Sequence, residues 1–478
     1  MKLPSDGLIL ICQRGCSTCR EIEPVFHQLA GSGARLSTYS QDDPGFPRDL
    51  PDVIDDSELE VSFHLAIETV PTLIRMEAGR ETARIVGWDR AEWEAFTGVV
   101  GLGPGLPDWR PGCGSLSVEP GIPEKLAAKY GDSLRSRRVE LAEAEDESEA
   151  AYARGWSDGL PVVPPTPERV LRMLGGTMRA PADIVGLIPP DYAECTVEKV
   201  AINAVLAGCK SEYMPVVLAA VEAAIQDDFA MQGVLATTYF SSPVVIVNGP
   251  ITKRIGMNSG VNALGQGNRA NATIGRALQL VIRNIGGGRP GEVDRAVLGN
   301  PGKYTFCFAE SEETSPWESL AVERGFAPDE STVTLFAGDG VQAVMDQISR
   351  TPESLARSFA ASLQTVCHAK VPLASDALLV VSPEHARVFR EAGWSKARLK
   401  DELHAVLQIP GAELVRGAGG IAEGVPASRV QEVMPKFRPD GILIVHAGGT
   451  AGLFSAIVGG WPAAGRGGSQ PVTVAVRE

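Results

Sequence analysis

Leu8-Ile9-Leu10-Ile11-Cys12, then Gly15-Cys16-Ser17-Thr18-Cys19, then Pro24, is the stretch from which the fold of the chain is read. The unbroken apolar run, followed by the polar Gln13-Arg14-Gly15, predicts a short buried strand. From Arg20 to Ala30 the residues Ile22, Val25, Phe26 and Leu29 share one face of a helix. A Cys-x-x-Cys at the start of such a helix is a redox device. The first thiol meets free backbone N–H groups and the positive end of the helix dipole, so its thiolate is favoured and its pKa falls. The second thiol lies one helical turn further on and can close a disulfide with it.

Downstream, Ala66 to Ile74 passes from a helix end into a strand through Val70-Pro71-Thr72. Glu77-Ala78-Gly79-Arg80 makes a turn, and Ala83 to Val86 forms a strand that closes at Gly87. Together with the strand–CxxC–helix unit and Pro24, these motifs resemble a thioredoxin over residues 1–100, about a fifth of the 478-residue chain. The resemblance implies a thioredoxin-like domain with Pro71 cis and facing the cysteines. It also implies Cys16 as attacking thiolate, Cys19 as resolving thiol and a redox-active disulfide, with no other cofactor expected. Three positions depart from the family. Gln13-Arg14-Gly15 lacks its tryptophan, Ser17-Thr18 replaces its Gly-Pro, and Leu10 stands where it carries a buried acid. Arg14 is then a candidate for stabilising the thiolate.

The length predicts two or three domains, and a hydrophobic content of 44% is enough for sizeable cores. A net charge of −15 argues against a general nucleic-acid or anionic-membrane binder, while a local basic pocket for a small anion stays compatible with it. Met1-Lys2-Leu3-Pro4-Ser5-Asp6 lacks the features of a signal peptide, and no apolar run is long enough to span a bilayer, so a soluble cytoplasmic protein is expected. Outside the CxxC the other six of the eight cysteines are scattered singly, which is neither a disulfide framework nor a zinc spacing. No metal is expected, and Cys12, Cys195 and Cys307 read as small core residues.

Residues 101–154 read as a connector. Gly101 to Pro107 is a Gly/Pro linker, and the acidic run Glu140 to Glu149 is a helix-prone solvated face or tether. Between them lies Arg110-Pro111-Gly112-Cys113-Gly114-Ser115. Cys113 is either a third redox cysteine that exchanges with Cys16 or a loop cysteine with no role.

From residue 155 to 478 helical and strand segments alternate, predicting a larger α/β domain in one or two lobes. Helices are expected at Val197–Gly208, Pro215–Asp227 and Ala272–Ile285, and strands at Pro243–Asn248, Thr332–Phe336, Asp376–Ser382 and Gly441–His446. Ligands of such sheets sit beyond the strand C-termini. The densest polar cluster runs from Asn248-Gly249-Pro250 through Gly256-Met257-Asn258-Ser259-Gly260 to Gly265-Gln266-Gly267-Asn268-Arg269-Ala270-Asn271. It is neither a P-loop nor a GxGxxG. Asn258, Asn268, Arg269 and Asn271 are candidate substrate-binding donors, or else serve turns and caps. Lys303, Glu310 and Glu318 are candidate acid/base or anchoring groups. His446 precedes a glycine-rich loop at a strand end, and Gly465 to Gln470 is a further such loop. Cys209 stands beside Lys210, and Cys367 beside His368. His385 and His404 read as structural. The Gly256–Gly260 and Pro301–Tyr304 stretches resemble uncharacterised bacterial proteins, a likeness that supplies no chemistry.

The expected function is a thiol-dependent oxidoreductase. Its CxxC domain supplies electrons to a reaction on a small polar or anionic substrate in the large domain, with Cys113, Cys209 or Cys367 as onward relays and an external thiol as reductant. An oligomer is compatible with this reading. Two alternatives stand beside it. One is a lyase or hydrolase whose large-domain cysteine the CxxC keeps reduced; the other is a soft-metal or sulfur carrier without turnover.

Overall fold

The apolar run that precedes the CxxC is β1 (Gly7–Cys12), and Ile9, Leu10, Ile11 and Cys12 are wholly buried in it. The computed structural model describes residues 3–373, 376–420, 422–461 and 468–477. The chain divides into two units, Met1–Leu134 with Pro167–Leu171, and Arg135–Thr166 with Arg172–Glu478. Both are built from mixed helices and sheets.

In the first unit β1 is the middle strand of a five-stranded sheet, which is why neither of its faces carries polar residues. Its neighbours are β2 (Leu36–Ser40), β3 (Ile54–Asp55), β5 (Thr72–Glu77) and β6 (Arg80–Val86), in the order β3-β2-β1-β5-β6. β1 and β2 are parallel, as are β2 and β3, whereas β5 is antiparallel to both β1 and β6. The short β4 (Thr69–Val70) lies outside this sheet and pairs with Cys113–Gly114. The helix expected over Arg20 to Ala30 is two helices, α1 (Ser17–Glu21) and α2 (Glu23–Gly31), hinged at Ile22. Pro24 sits in the first turn of α2, where its missing N–H costs nothing.

The segment expected to be a Gly/Pro linker is folded into this unit, which runs on to Leu134 instead of ending near residue 100. Leu102 is wholly buried, Gly103 N donates to Gln28 Oε1 at 2.7 Å, and Trp88 Nε1 donates to Pro107 O at 2.7 Å. A side chain at Gly103 would stand 2.9 Å from Leu106 Cδ1 and 3.0 Å from Val25 Cγ2, so glycine there permits close packing as well as flexibility. Further on, the buried Gln41 amide donates to Ser62 Oγ and to Ser115 Oγ, at 2.7 Å each.

The second unit is organised by β7 (Ser242–Asn248), β8 (Cys307–Ala309), β9 (Thr332–Met345), β10 (Ala377–Val381), β11 (Ile442–His446), β12 (Phe454–Gly460) and β13 (Val472–Ala475). The order is β8-β7-β9-β12-β10-β11, with β13 also on β9. Parallel pairing is confined to β7–β8 and β10–β11; the other pairs are antiparallel. β9 is longer than the predicted Thr332–Phe336. It shifts register between Gly338 and Val341, so that its first half serves β7 and β13 and its second half serves β12.

Successive residues of β10 feed opposite cores. Ala377, Leu379 and Val381 pack with Leu355, Phe359, Phe389 and Trp394, whereas Leu378 and Val380 pack with Val244, Ile246, Phe308 and Phe336. Burial on both faces explains why these strands read as continuous apolar runs. Helix Val197–Ala207 ends at Gly208 with φ 89°, and Thr196 Oγ1 caps its start by accepting from Lys199 N. The acidic run becomes helical only at Glu147–Ala153, where the Asp146 side chain accepts from Ser148 N and Glu149 N. Among the described residues no helix is long and apolar enough to cross a membrane.

Candidate functional site

The turn that leads out of β1 delivers Cys16 as the N-cap of α1, where its Sγ accepts from Cys19 N at 3.3 Å. Asp42 pins this turn by accepting from Arg14 N and Gly15 N, each at 2.7 Å. Cys16 is 2% exposed and Cys19 fully buried, and none of the eight cysteines is in a disulfide. Opposite them the Val70–Pro71 peptide is cis, and Cys16 Sγ lies 3.5 Å from Val70 O.

The Cys16 thiol is lowered to about 5, first because the Cys19 thiol donates to its thiolate, with burial opposing. The Cys113 thiol and the N–H groups of Cys19 and Thr18 add to the lowering. Burial and the neighbouring Cys16 push Cys19 well above the ordinary thiol range. Arg14, expected to favour the thiolate, is engaged elsewhere: its guanidinium pairs with Asp43 at 2.6 Å and is half exposed. Cys12 is pushed up, chiefly by burial.

Cys113 stands in register with Val70 on the strand pair formed with β4. Its Sγ is 3.9 Å from Ser17 Oγ. Thr18 Oγ1 donates to Pro111 O at 2.7 Å, and Arg110 pairs with Glu21 at 2.8 Å. Sequence reading missed Asp42 and Thr18. Asp42 follows β2, the parallel neighbour of β1, and an acid after that strand was the available sign of a cap on the adjacent turn.

In the second unit the asparagines of the Gly/Asn loop bond within the chain itself. Asn271, 3% exposed, accepts from Asn258 N at 3.0 Å and donates to Asn258 O at 2.8 Å. Asn268 caps helix Arg269–Asn284 by accepting from Asn271 N at 3.0 Å, so the helix starts before the expected Ala272. Arg269 Nε donates to Gly208 O at 2.9 Å, at the end of helix Val197–Ala207. Lys303 pairs with the largely buried Asp294 at 2.8 Å. The loop meets the one after β11, where Gly448 N donates to Ser259 O at 2.9 Å.

A buried polar cluster lies at the ends of β7, β8 and β11. Asn248 Nδ2 donates to Glu310 Oε2 and to Glu312 Oε1, each at 2.7 Å, and Glu310 also accepts from Leu320 N at 2.8 Å and His446 N at 3.3 Å. Burial raises Glu310 against the pull of Lys396, and burial lowers His446, whose Nε2 lies 3.1 Å from Thr314 Oγ1. Asn248 Oδ1 and His446 Nδ1 are buried without a protein partner.

Burial pushes Cys209 up to about 12, and its thiol donates to Thr273 O at 3.3 Å, which leaves little thiolate despite Lys210 next to it. Cys367 adopts φ 61° and its thiol contacts Gly460 O at 3.6 Å, while Lys370 N donates to the neighbouring His368 Nδ1 at 3.1 Å. His385 is buried between Ser455 Oγ and Asp346 O. Of the loop Gly465–Gln470, residues 465–467 lie outside the described residues.

Of these clusters only the first sets a thiol whose pKa is lowered beside a second thiol one helical turn away, an arrangement suited to thiol–disulfide exchange. Comparison with protein-family models, with curated proteins and with solved structures finds no match in any of the three.

Proposed function

We propose that the first unit is a thioredoxin-like module and the chain a thiol-dependent oxidoreductase. Cys16 attacks an oxidised sulfur and Cys19 resolves the adduct. The observation that carries this reading is the seat of Cys16 as the N-cap of α1, its Sγ accepting from Cys19 N at 3.3 Å, with the Cys19 thiol fully buried one turn on.

For a disulfide substrate, the Cys16 thiolate forms a mixed disulfide and expels one substrate sulfur as a thiolate. Cys19 then gives up its proton and attacks Cys16 Sγ, the second substrate sulfur leaves, and a Cys16–Cys19 disulfide remains. An external dithiol restores the pair. Stabilising the Cys16 thiolate favours the reduced pair, so external thiols recharge it readily and it gives electrons only to more oxidising partners. A small polar or anionic substrate in the large unit is the acceptor in this reading, near the meeting of the Asn258–Asn271 and His446–Gly452 loops.

The test is turnover of a small aromatic disulfide by the full chain with an external dithiol. Cys16→Ser is expected to abolish it, and wild-type turnover by that variant refutes the reading.

A further inference from the structure

Three thiols, not two, meet at this site. The segment Arg110–Gly114 crosses the start of α1 as a strap held at several points. Thr18 Oγ1 bonds Pro111 O, Arg110 pairs with Glu21, and Cys113–Gly114 pairs antiparallel with Thr69–Val70. A side chain at Gly112 would stand 2.2 Å from Thr69 Cγ2 and 3.0 Å from Val70 O, so the strap is seated at backbone contact. This seating pairs Cys113 with Val70, whose carbonyl oxygen lies 3.5 Å from Cys16 Sγ, and puts Cys113 Sγ 3.9 Å from Ser17 Oγ. Cys19 approaches Cys16 Sγ from the fully buried side, while Cys113 is only half buried.

We propose that Cys113 is a second resolving thiol, able to discharge a mixed disulfide on Cys16 in place of Cys19. The inference rests on the exchange reading of Cys16 given above. In the step, the Cys113 thiolate attacks Cys16 Sγ, the bond from Cys16 to the substrate sulfur breaks, and that sulfur leaves as a thiolate and takes up a proton. A Cys16–Cys113 disulfide forms. Its two electrons have gone to the substrate disulfide, and an external dithiol returns them. Cys19 resolves from within the core and must first lose its proton there. Cys113 resolves from the half-open side, where a bulky leaving group departs more freely.

The experiment uses the full chain with oxidised glutathione and peptide mapping under non-reducing conditions. Cys113→Ser is expected to yield the Cys16–Cys19 disulfide, and Cys19→Ser the Cys16–Cys113 disulfide. Only the double variant is expected to retain glutathione on Cys16, released ~100-fold more slowly than from either single variant. Cys19→Ala repeats the second arm should serine unsettle the core. The proposal is overturned if Cys19→Ser or Cys19→Ala keeps glutathione on Cys16 while Cys113 stays alkylatable. A wild-type chain that forms no disulfide at Cys16 with oxidised glutathione overturns the exchange reading itself, and this proposal with it.

Discussion

Between pH 5.5 and pH 7 the alkylation rate of Cys16 should scarcely change, and that flatness follows from its surroundings. The perturbation is pH alone, applied to the full reduced chain. With its midpoint lowered to about 5 from the ordinary 9.0, Cys16 is about three-quarters thiolate at pH 5.5 and ~99% thiolate at pH 7. Its rate therefore rises only about 1.3-fold over that interval, whereas an unperturbed thiol gains about 30-fold. The ratio is a better measure than the absolute rate for two reasons. Cys16 is 2% exposed, which slows every reagent equally at both pH values. A thiolate four units less basic is also intrinsically slower by roughly 40–100-fold, which nearly cancels its greater ionisation at pH 7. The assay is timed labelling with iodoacetamide, quenched and read peptide by peptide. A rise of tenfold or more at Cys16 would refute the argument, because the donors from Cys19, Cys113 and the α1 N–H groups would then not be stabilising a thiolate.

Gly112→Ala should raise the Cys16 midpoint by lifting Cys113 away, and an unchanged labelling profile would show that the strap contributes nothing to the thiolate. In the second unit Arg276 grips Asp158 with two bonds of 2.8 Å, the side chains being 13% and 10% exposed. Asp158→Asn should cost about 3–5 kcal/mol in urea unfolding, and a loss under about 1 kcal/mol would contradict the pairing. Burial pushes the Asp158 carboxyl up, but Arg276 holds it below its ordinary 3.8, so its stabilisation is present above that pH and fades as pH falls further; the variant should lack this acid limb. Lys436, 1% exposed, donates to the carbonyls of Val366, His368 and Val371. Burial lowers it to about 8 from 10.5, so the unfolded chain binds the extra proton between those values and stability should rise with pH there. Lys436→Met should remove that rise and cost about 2–4 kcal/mol through the stranded carbonyls. Equal slopes in both proteins would show that Lys436 does not titrate as described.

Local chemistry was legible along the chain. β1, the α1 start at Cys16 and the runs of β10 and β11 follow from short-range pattern. Caps were harder to read. Asn268 stood in the sequence either as a donor toward a ligand or as a cap, and its side chain accepts from Asn271 N three residues on. An asparagine before a helix bears the same letter in either role, and only the backbone path distinguishes them.

Sequence alone determined that Cys16 and Cys19 lie one turn apart at a helix start, because that spacing is set by the helix itself. Tertiary structure decided what the pair can do. The low titration of Cys16 and the high titration of Cys19 arise from burial and from donors brought together by packing. The third thiol reaches the site only because a segment 96 residues beyond Ser17 pairs with β4. The same holds for the large sheet, whose mixed strand order depends on which apolar faces pack against which. Hydrogen bonds within a turn are written in adjacent residues; desolvation and strand pairing exist only once distant residues share a core.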